Sequence, residues 1–363
     1  MANYFFEIKS ANLSISVEPF MSNGYLVKNI ELYEELGGSI AKGKIQLVND
    51  GSNKALELIT NTYEVNIILK KKVGVSYEIK GYIDSRSYHK NFLNIHFLCV
   101  PNLDFLTKNI IREWDDIDSA IETLWTGKKD IRCNSDIGNG IKILQASESD
   151  KELCSRLALS YKKNTIFAFG LEGFLLKDTI GIDSTGKQEP YWQLDGEQEV
   201  EQDTNYIITY NYNTYLENYD PFEGNEETGE EPIEGSKNIK VEILDKTYRL
   251  VHKDYGQLLD NYRSNKNFIY NDSSYNSLTV TYKNTLPEYK LGDVIYYRRV
   301  DDHKRNPMNV FLVKSMNIYI EIEKNPEQNG VSDKSYGVEV TSKLWGLKEN
   351  GELLSNTDPT KTN

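Results

Sequence analysis

Two hydrophobic periods alternate along the chain. Between residues 4 and 100 apolar side chains recur in short runs or at every second position, the spacing of strands that bury one face. Six strands are expected there, at residues 4–8, 13–17, 43–48, 62–69, 77–85 and 92–100. Breaks such as Asn49, Asp50, Gly51 and Ser52, and the run Lys70, Lys71 and Lys72, separate them. Rough alternation over 38–48 suits a half-buried strand, whereas the continuous apolar runs at 65–69 and 93–100 suit strands covered on both faces. A short helix near 53–59, capped by Ser52, completes this first block.

Beyond Pro101 the period becomes helical. Ile117, Ala120, Ile121, Leu124 and Trp125 fall on one face and predict a helix over 116–125, capped by Asp115 or Asp116. A loop at 138–140 and a short strand at 141–145 lead to a helix-then-hairpin unit at 147–176. Its helix should begin with a capping box, Ser149 at the cap and Glu152 reaching back, with Asp150 favoured by the helix dipole. Leu153, Cys154, Leu157, Ala158 and Tyr161 make its apolar stripe, and Lys162, Lys163 and a left-handed Asn164 close it. A strand at 165–169, a turn at 170–173 and a returning strand at 174–176 give that stripe a hairpin to pack on.

No Lys or Arg occurs between Lys187 and Lys237. The alternating stretch 206–215 reads as a strand, whereas 217–234 is acidic, has few apolar residues and reads as a solvated loop or linker. Strands then resume at 239–244, 278–282, 293–299, 309–323 and 336–344, a second barrel or sandwich, followed by a polar tail at 348–363.

The unit at 147–176 resembles the signature of the central hub proteins of phage baseplates, whose fold also forms the N-terminal half of type VI secretion VgrG spikes. Glu148, Ser149, Asp150, Leu153, Arg156, Leu157, Ala158, Ile166, Phe167 and Phe169 carry the likeness. Tyr289, Leu291, Gly292, Asp293 and Val294 match a turn entering a strand in the same family, and Phe311, Leu312 and Val313 match the strand before its long closing hairpin. Gly292 suits a turn that needs positive φ, and Asp293 can bond the neighbouring backbone. The resemblance covers most of residues 60–345 and implies two related barrels per chain, which taken three times make a pseudo-sixfold ring. Such a ring seats on a sixfold tail tube and offers a threefold face to the spike. The family's long spike needle has no counterpart here, and contractile and non-contractile tails both remain open.

Composition narrows the functional classes. A chain of 363 residues can bury two or three ordinary cores, and 25 tyrosines point to strands and interfaces. The net charge of −13 argues against a surface that grips phosphates. Cys99, Cys133 and Cys154 are odd in number and widely spaced, so neither a disulfide framework nor a zinc site is expected. The opening MANYFFEIKS lacks the basic start and apolar core of an export signal, and no run approaches a membrane span, so no membrane anchor is expected.

Candidate chemistry is sparse. His89, His96, His252 and His303 are scattered without metal-ligand spacing, and no nucleophile elbow or phosphate loop is present. Carboxylate pairs such as Asp115 and Asp116, Asp301 and Asp302, or Glu226 and Glu227 are accounted for by caps and loops. Trp114, Trp125, Trp192 and Trp345, with Tyr206, Tyr210, Tyr212 and Tyr215, could furnish a sugar platform, although core or interface is the commoner use of aromatic strands. No catalytic, cofactor-binding or metal-ligating residue is therefore assigned.

These readings converge on an α+β, mainly β chain: two β-barrel, tail-tube-like domains with an α/β insertion domain between them. The expected divisions are 1–103 for the first barrel, 104–185 for the insertion, 186–240 for a strand and acidic linker, 241–347 for the second barrel and 348–363 for the tail. The resemblance implies a non-enzymatic homotrimeric hub without cofactors, resident in the virion tail baseplate and assembled in the host cytoplasm. Its partners would be the tail tube protein, a spike or tail-tip protein and other baseplate proteins, with genomic DNA as passing cargo. The alternative is a carbohydrate-binding or cell-wall-glycan-cleaving protein.

Overall fold

A computed structural model describes residues 4–10, 13–17, 27–48, 64–71, 76–89, 91–108, 111–136, 143–145, 148–178, 187–188, 205–210, 238–243, 255–270, 277–283, 286–287, 289–297, 309–324 and 334–347. The first strands are β1 (Tyr4–Ser10), β2 (Leu13–Val17), β3 (Val27–Glu35), β4 (Gly37–Ile40), β5 (Lys42–Val48), β6 (Glu64–Lys71), β7 (Ser76–Tyr88) and β8 (Phe92–Leu98). Next come α1 (Asp104–Thr107), β9 (Arg112–Trp114), α2 (Ile117–Leu124), β10 (Lys129–Arg132), β11 (Ile143–Gln145), α3 (Asp150–Ser160), β12 (Thr165–Gly170) and β13 (Gly173–Asp178). The last are β14 (Lys187–Gln188), β15 (Asn205–Tyr210), β16 (Asn238–Ile243), α4 (Tyr255–Tyr270), β17 (Ser277–Lys283), β18 (Val294–Tyr297), β19 (Asn309–Lys324) and β20 (Lys334–Leu347).

The fold is mainly β. A twelve-stranded sheet runs in the order β17, β20, β19, β3, β5, β8, β7, β6, β1, β2, antiparallel at every step, with β18 antiparallel to the first part of β19 and β14 parallel to β18. The N-terminal and C-terminal strands, which the sequence divides into two barrels, thus meet edge to edge, and no pair among the described residues closes a barrel. The cause is the length of β19. Its early residues pair with β18, a register shift intervenes, and its later residues, Ser315 to Glu321, pair with β3. Alternation along a strand fixes its faces and leaves its partner undetermined.

One face of this sheet is apolar and buried, with Ile30, Leu32, Ile45, Leu47, Ile95, Ile318 and Val340 in its core. Each such side chain contributes about 1.5–3 kcal/mol on burial. Phe97 lies flat across two neighbouring strands because both have glycine beneath it. A Cβ at Gly43 would stand 2.1 Å from Phe97 Cζ and one at Gly81 would stand 2.6 Å from Cδ2.

The helical layer packs on a smaller sheet ordered β10, β13, β12, β4. At the start of α3 the capping box forms as expected: Glu152 N donates to Ser149 Oγ at 3.2 Å and Ser149 N to Glu152 Oε2 at 2.7 Å. Asn164 adopts φ 61°, and Leu153, Cys154, Leu157, Ala158 and Tyr161 are all buried. Asp116 rather than Asp115 caps α2, accepting from Ser119 N at 2.7 Å. Beneath the helices Trp125 stacks on Phe169 with centroids 5.5 Å apart, and Phe105 meets Trp125 edge-on at 5.2 Å.

Two parts of this layer come from outside residues 104–185. Strand β4 lies parallel to β12, and α4 packs against α3. Helix α4 has no counterpart among the expected elements because its buried face is partly polar: Asn261, Asn265 and Lys266 are buried with Tyr262 and Ile269. An apolar stripe is therefore interrupted in the sequence. The asparagines are there to serve α3. Asn265 Nδ2 donates to Leu159 O at 2.7 Å and Lys162 O at 2.6 Å, its Oδ1 accepts from Thr165 N at 3.1 Å, and Asn261 Nδ2 donates to Ser160 O at 3.2 Å. The carbonyls that a helix leaves unpaired at its C-terminus are thus satisfied from a neighbouring helix. Strand β3 also went unforeseen, since Glu34 occupies an inward position between apolar neighbours.

Other expectations lie outside the described residues: the helix near 53–59, the loop at 138–140, the acidic stretch 217–234, the tail 348–363, Trp192, Tyr212, Tyr215, Glu226, Glu227, His252, His303, Asp301 and Asp302. Strand β15 pairs in parallel with β16.

Candidate functional site: the polar face of the long sheet

Successive side chains of a strand point to opposite faces, so burying one face of the long sheet leaves a second, polar one. Strand pairing sets that face out in rows. One row is Asn29, Gln46, Asn94 and Ser87 on β3, β5, β8 and β7, joined by hydrogen bonds: Asn29 Nδ2 to Gln46 Oε1 at 3.2 Å, Gln46 Nε2 to Asn94 Oδ1 at 2.9 Å, and Asn94 Nδ2 to Ser87 Oγ at 3.1 Å. The next row is Tyr319, Glu31, Lys44, His96 and Ser85. A third, Thr281, Thr341, Asn317, Tyr33 and Lys42, continues it onto β20 and β17, where the two threonine hydroxyls lie 3.3 Å apart.

Charge on this face is mixed and locally paired. Lys44 meets Glu31 at 3.3 Å, Lys42 lies over the Tyr33 ring at 5.6 Å, Lys28 over Phe92 at 4.6 Å, and Tyr33 donates to Glu35 at 2.9 Å. Cations held by neighbours of opposite charge or by aromatic faces are poorly placed to collect phosphates.

Where the long sheet meets the helical layer, polar groups are buried. Glu34 of β3 accepts a hydrogen bond from Leu171 N, in the turn between β12 and β13, at 2.9 Å. Burial pushes its carboxyl up to about 7, opposed in part by that bond. Beside it Glu172 pairs with Lys128 at 3.4 Å and with Lys290, while Asp293 faces Lys177 at 3.7 Å. Burial likewise raises the Tyr77 hydroxyl, and Lys290 lies 4.9 Å over its ring. A cleft of 580 Å³ opens next to this joint, with Glu64, Tyr82, Trp125 and Gly173 among its lining residues.

The motifs singled out in the sequence do structural work. Glu148 pairs with Arg156, Ser149 caps α3, and Asp150 accepts from Gln145 Nε2 at 2.8 Å with Arg112 at 3.6 Å, which ties the small β9–β11 ribbon to the helix. Gly292 has φ 73°, and Asp293 Oδ2 accepts from Lys290 N at 2.9 Å while its carbonyl accepts from Val313 N at 2.9 Å. Phe311, Leu312 and Val313 are buried in β19.

The side chains screened for chemistry disperse. His96 sits on the polar face and His89 is exposed. Burial raises the Cys99 and Cys154 thiols and pushes Cys133 up to about 12, so none is poised as a thiolate at neutral pH. Trp125 and Trp345 are core residues and Trp114 is partly buried against the helical core, so these three do not form an exposed sugar platform. Among the described residues no three His, Cys, Asp or Glu side chains gather as a metal site. The amide row and Glu34 escaped the sequence reading. A polar residue at every second position of β3, β5 and β8 was the available signal.

Against solved structures this architecture has counterparts. A tail protein from Neisseria meningitidis MC58 aligns with TM-score 0.53 at 11% identity over 94% of this chain and 96% of its own. An E. coli component of the type VI secretion system, described as structurally similar to two T4 bacteriophage tail proteins, aligns with TM-score 0.53 at 11% identity over 96% of this chain and 79% of its own. The chain has the fold of phage tail proteins. A Francisella PdpA–VgrG complex aligns with TM-score 0.51 at 10% identity, covering the whole of this chain and 60% of the matched one. No protein-family model and no curated protein matches the sequence. Within this tail-protein fold no helix among the described residues is long and apolar enough to cross a membrane.

Proposed function

We propose that the chain is the structural hub of a phage tail baseplate or a related contractile injection system. It works as a homotrimer, joins the tail tube to the spike or tip protein, and catalyses no reaction. The observation that carries this reading is the tail-protein fold combined with a long sheet that is apolar on one side and mixed in charge on the other. Strands β17 and β2 end that sheet with outer edges that pair with no strand among the described residues. Open edges of this kind invite pairing with another chain. Three copies arranged in a ring can bring such edges together, with the polar rows facing a bore that lets DNA pass.

In this reading the two β-rich regions, residues 1–103 and 241–347, are the counterparts of two barrels, the helical insertion is centred on 104–185, and residues 186–240 connect them. The pseudo-sixfold symmetry of such a ring would arise from these two regions, taken three times, and would match a sixfold tube to a threefold spike. Partners are the tube protein, the spike or tip protein and other baseplate proteins, in a virion tail assembled in the host cytoplasm. No specific observation favours the glycan-binding alternative.

Native mass spectrometry of the purified chain, alone and with its tube protein, tests the proposal, together with images of assembled tails. Three copies per ring are expected. A chain that stays monomeric in solution and contributes one copy per tail overturns it.

A further inference from the structure

The joint between the long sheet and the helical layer is built around a carboxylate that forms no ion pair among the described residues. Glu34 is 4% exposed. Its one hydrogen-bond donor among the described residues is the Leu171 amide, in the turn that holds β12 to β13. Opposite it on β19 stands Met316, but other segments bring titratable or charged groups to it. The turn itself brings Glu172, the turn before β18 brings Lys290 and Asp293, β7 brings Tyr77, and the end of β8 brings Cys99. The cations nearby are already committed. Lys290 and Lys128 hold Glu172, and Lys177 faces Asp293. Among the described residues Glu34 forms no ion pair of its own: Lys290, whose charge favours the ionised form, is paired with Glu172, and the carboxylates of Glu172 and Asp293 both lie nearby.

We propose that Glu34 is a proton-operated latch, holding the 170–173 turn firmly to the long sheet when its carboxyl is neutral and letting the turn open when the carboxyl ionises. Opening admits water to the ionised carboxylate, and hydration of a charge outweighs one backbone hydrogen bond. The effect of burial, larger here than that of the Leu171 amide, raises the closed-state carboxyl from 4.5 to about 7. An acid raised in the closed state stabilises closure fully below its open-state value, and that stabilisation is lost as pH rises through the closed-state value. The window is therefore from 4.5 to about 7. The latch stands on the geometry of this joint and does not depend on the tail reading.

Hydrogen exchange of the full-length protein, corrected for the intrinsic dependence of exchange on pH, tests it. Between acidic and mildly alkaline buffer, protection of the amides at 170–173 should fall by at least about tenfold. Protection in the interior of β3 and β19 should stay level. In Glu34→Gln the turn's dependence on pH should vanish. A turn whose protection is independent of pH in the native protein, a slope that survives in Glu34→Gln, or a loss spread evenly over the chain each overturns the proposal. Should Glu34→Gln fail to fold, isotope-edited infrared titration of the native protein decides. A buried glutamic acid still protonated at pH 6 supports the latch, and its absence refutes it.

Discussion

Leu157 shows how a single buried position governs the helical layer. It has no exposed surface and sits between Leu153 and Tyr161 on the inward stripe of α3. Truncation to Ala should cost about 2–5 kcal/mol. Leu157→Asp places an unpaired charge there and should prevent the layer from folding, seen as loss of the cooperative thermal transition and of soluble protein. Soluble, cooperatively melting Leu157→Asp protein would contradict the packing. This residue was legible from its spacing, because apolar side chains at every third or fourth position line up on one side only when the backbone is helical. Glu34 was not, since nothing local distinguishes an inward glutamate from an outward one until the strand's partners are known. The same holds for Gly43 and Gly81, whose missing side chains make sense only once Phe97 is seen lying across both.

At the scale of elements, α3 and α4 form a mutually dependent pair. A helix ends with carbonyls that need donors. Here Asn265 supplies them, with its side chain wholly buried and bonded to Leu159 O, Lys162 O and Thr165. Asn265→Ala removes the partners of Leu159 O and Thr165 N, while Lys162 O keeps the Thr165 hydroxyl, and should destabilise the protein by roughly 3 kcal/mol, since each unsatisfied buried group costs about 1–3 kcal/mol. Chemical denaturation of the variant checks this. A change below about 0.5 kcal/mol, the scale of an ordinary surface substitution, would show that the asparagine is dispensable. The capping box of α3 was readable because both partners stand three residues apart. The cap at its other end was hidden because the donor lies 106 residues from Leu159 in the chain.

At the scale of the molecule, a net charge of −13 acts together with a polar face whose lysines are held by Glu31, Tyr33 and Phe92. Non-specific DNA binding, with Kd roughly 10⁻⁴ to 10⁻⁶ M at physiological salt, rests on cations free to replace counter-ions. The full-length protein should therefore leave duplex DNA unshifted in an electrophoretic assay at micromolar protein. A salt-sensitive shift in that range would mean that the polar face grips DNA rather than letting it pass.

What the chain's own pattern determined was its mainly β character, the position of most strands, two helices with their N-terminal caps, and a likeness to tail hubs carried by motifs such as that at 148–150. All of these depend on interactions within a few residues, or on a period that repeats along one element. The tertiary structure decided which strands are neighbours, so that two expected barrels join through β3 and β19, and it decided where α4 lies and why its buried face is polar. Pairing between distant strands and donors brought from a distant helix follow from the geometry of the assembled core, which leaves no periodic trace in the sequence.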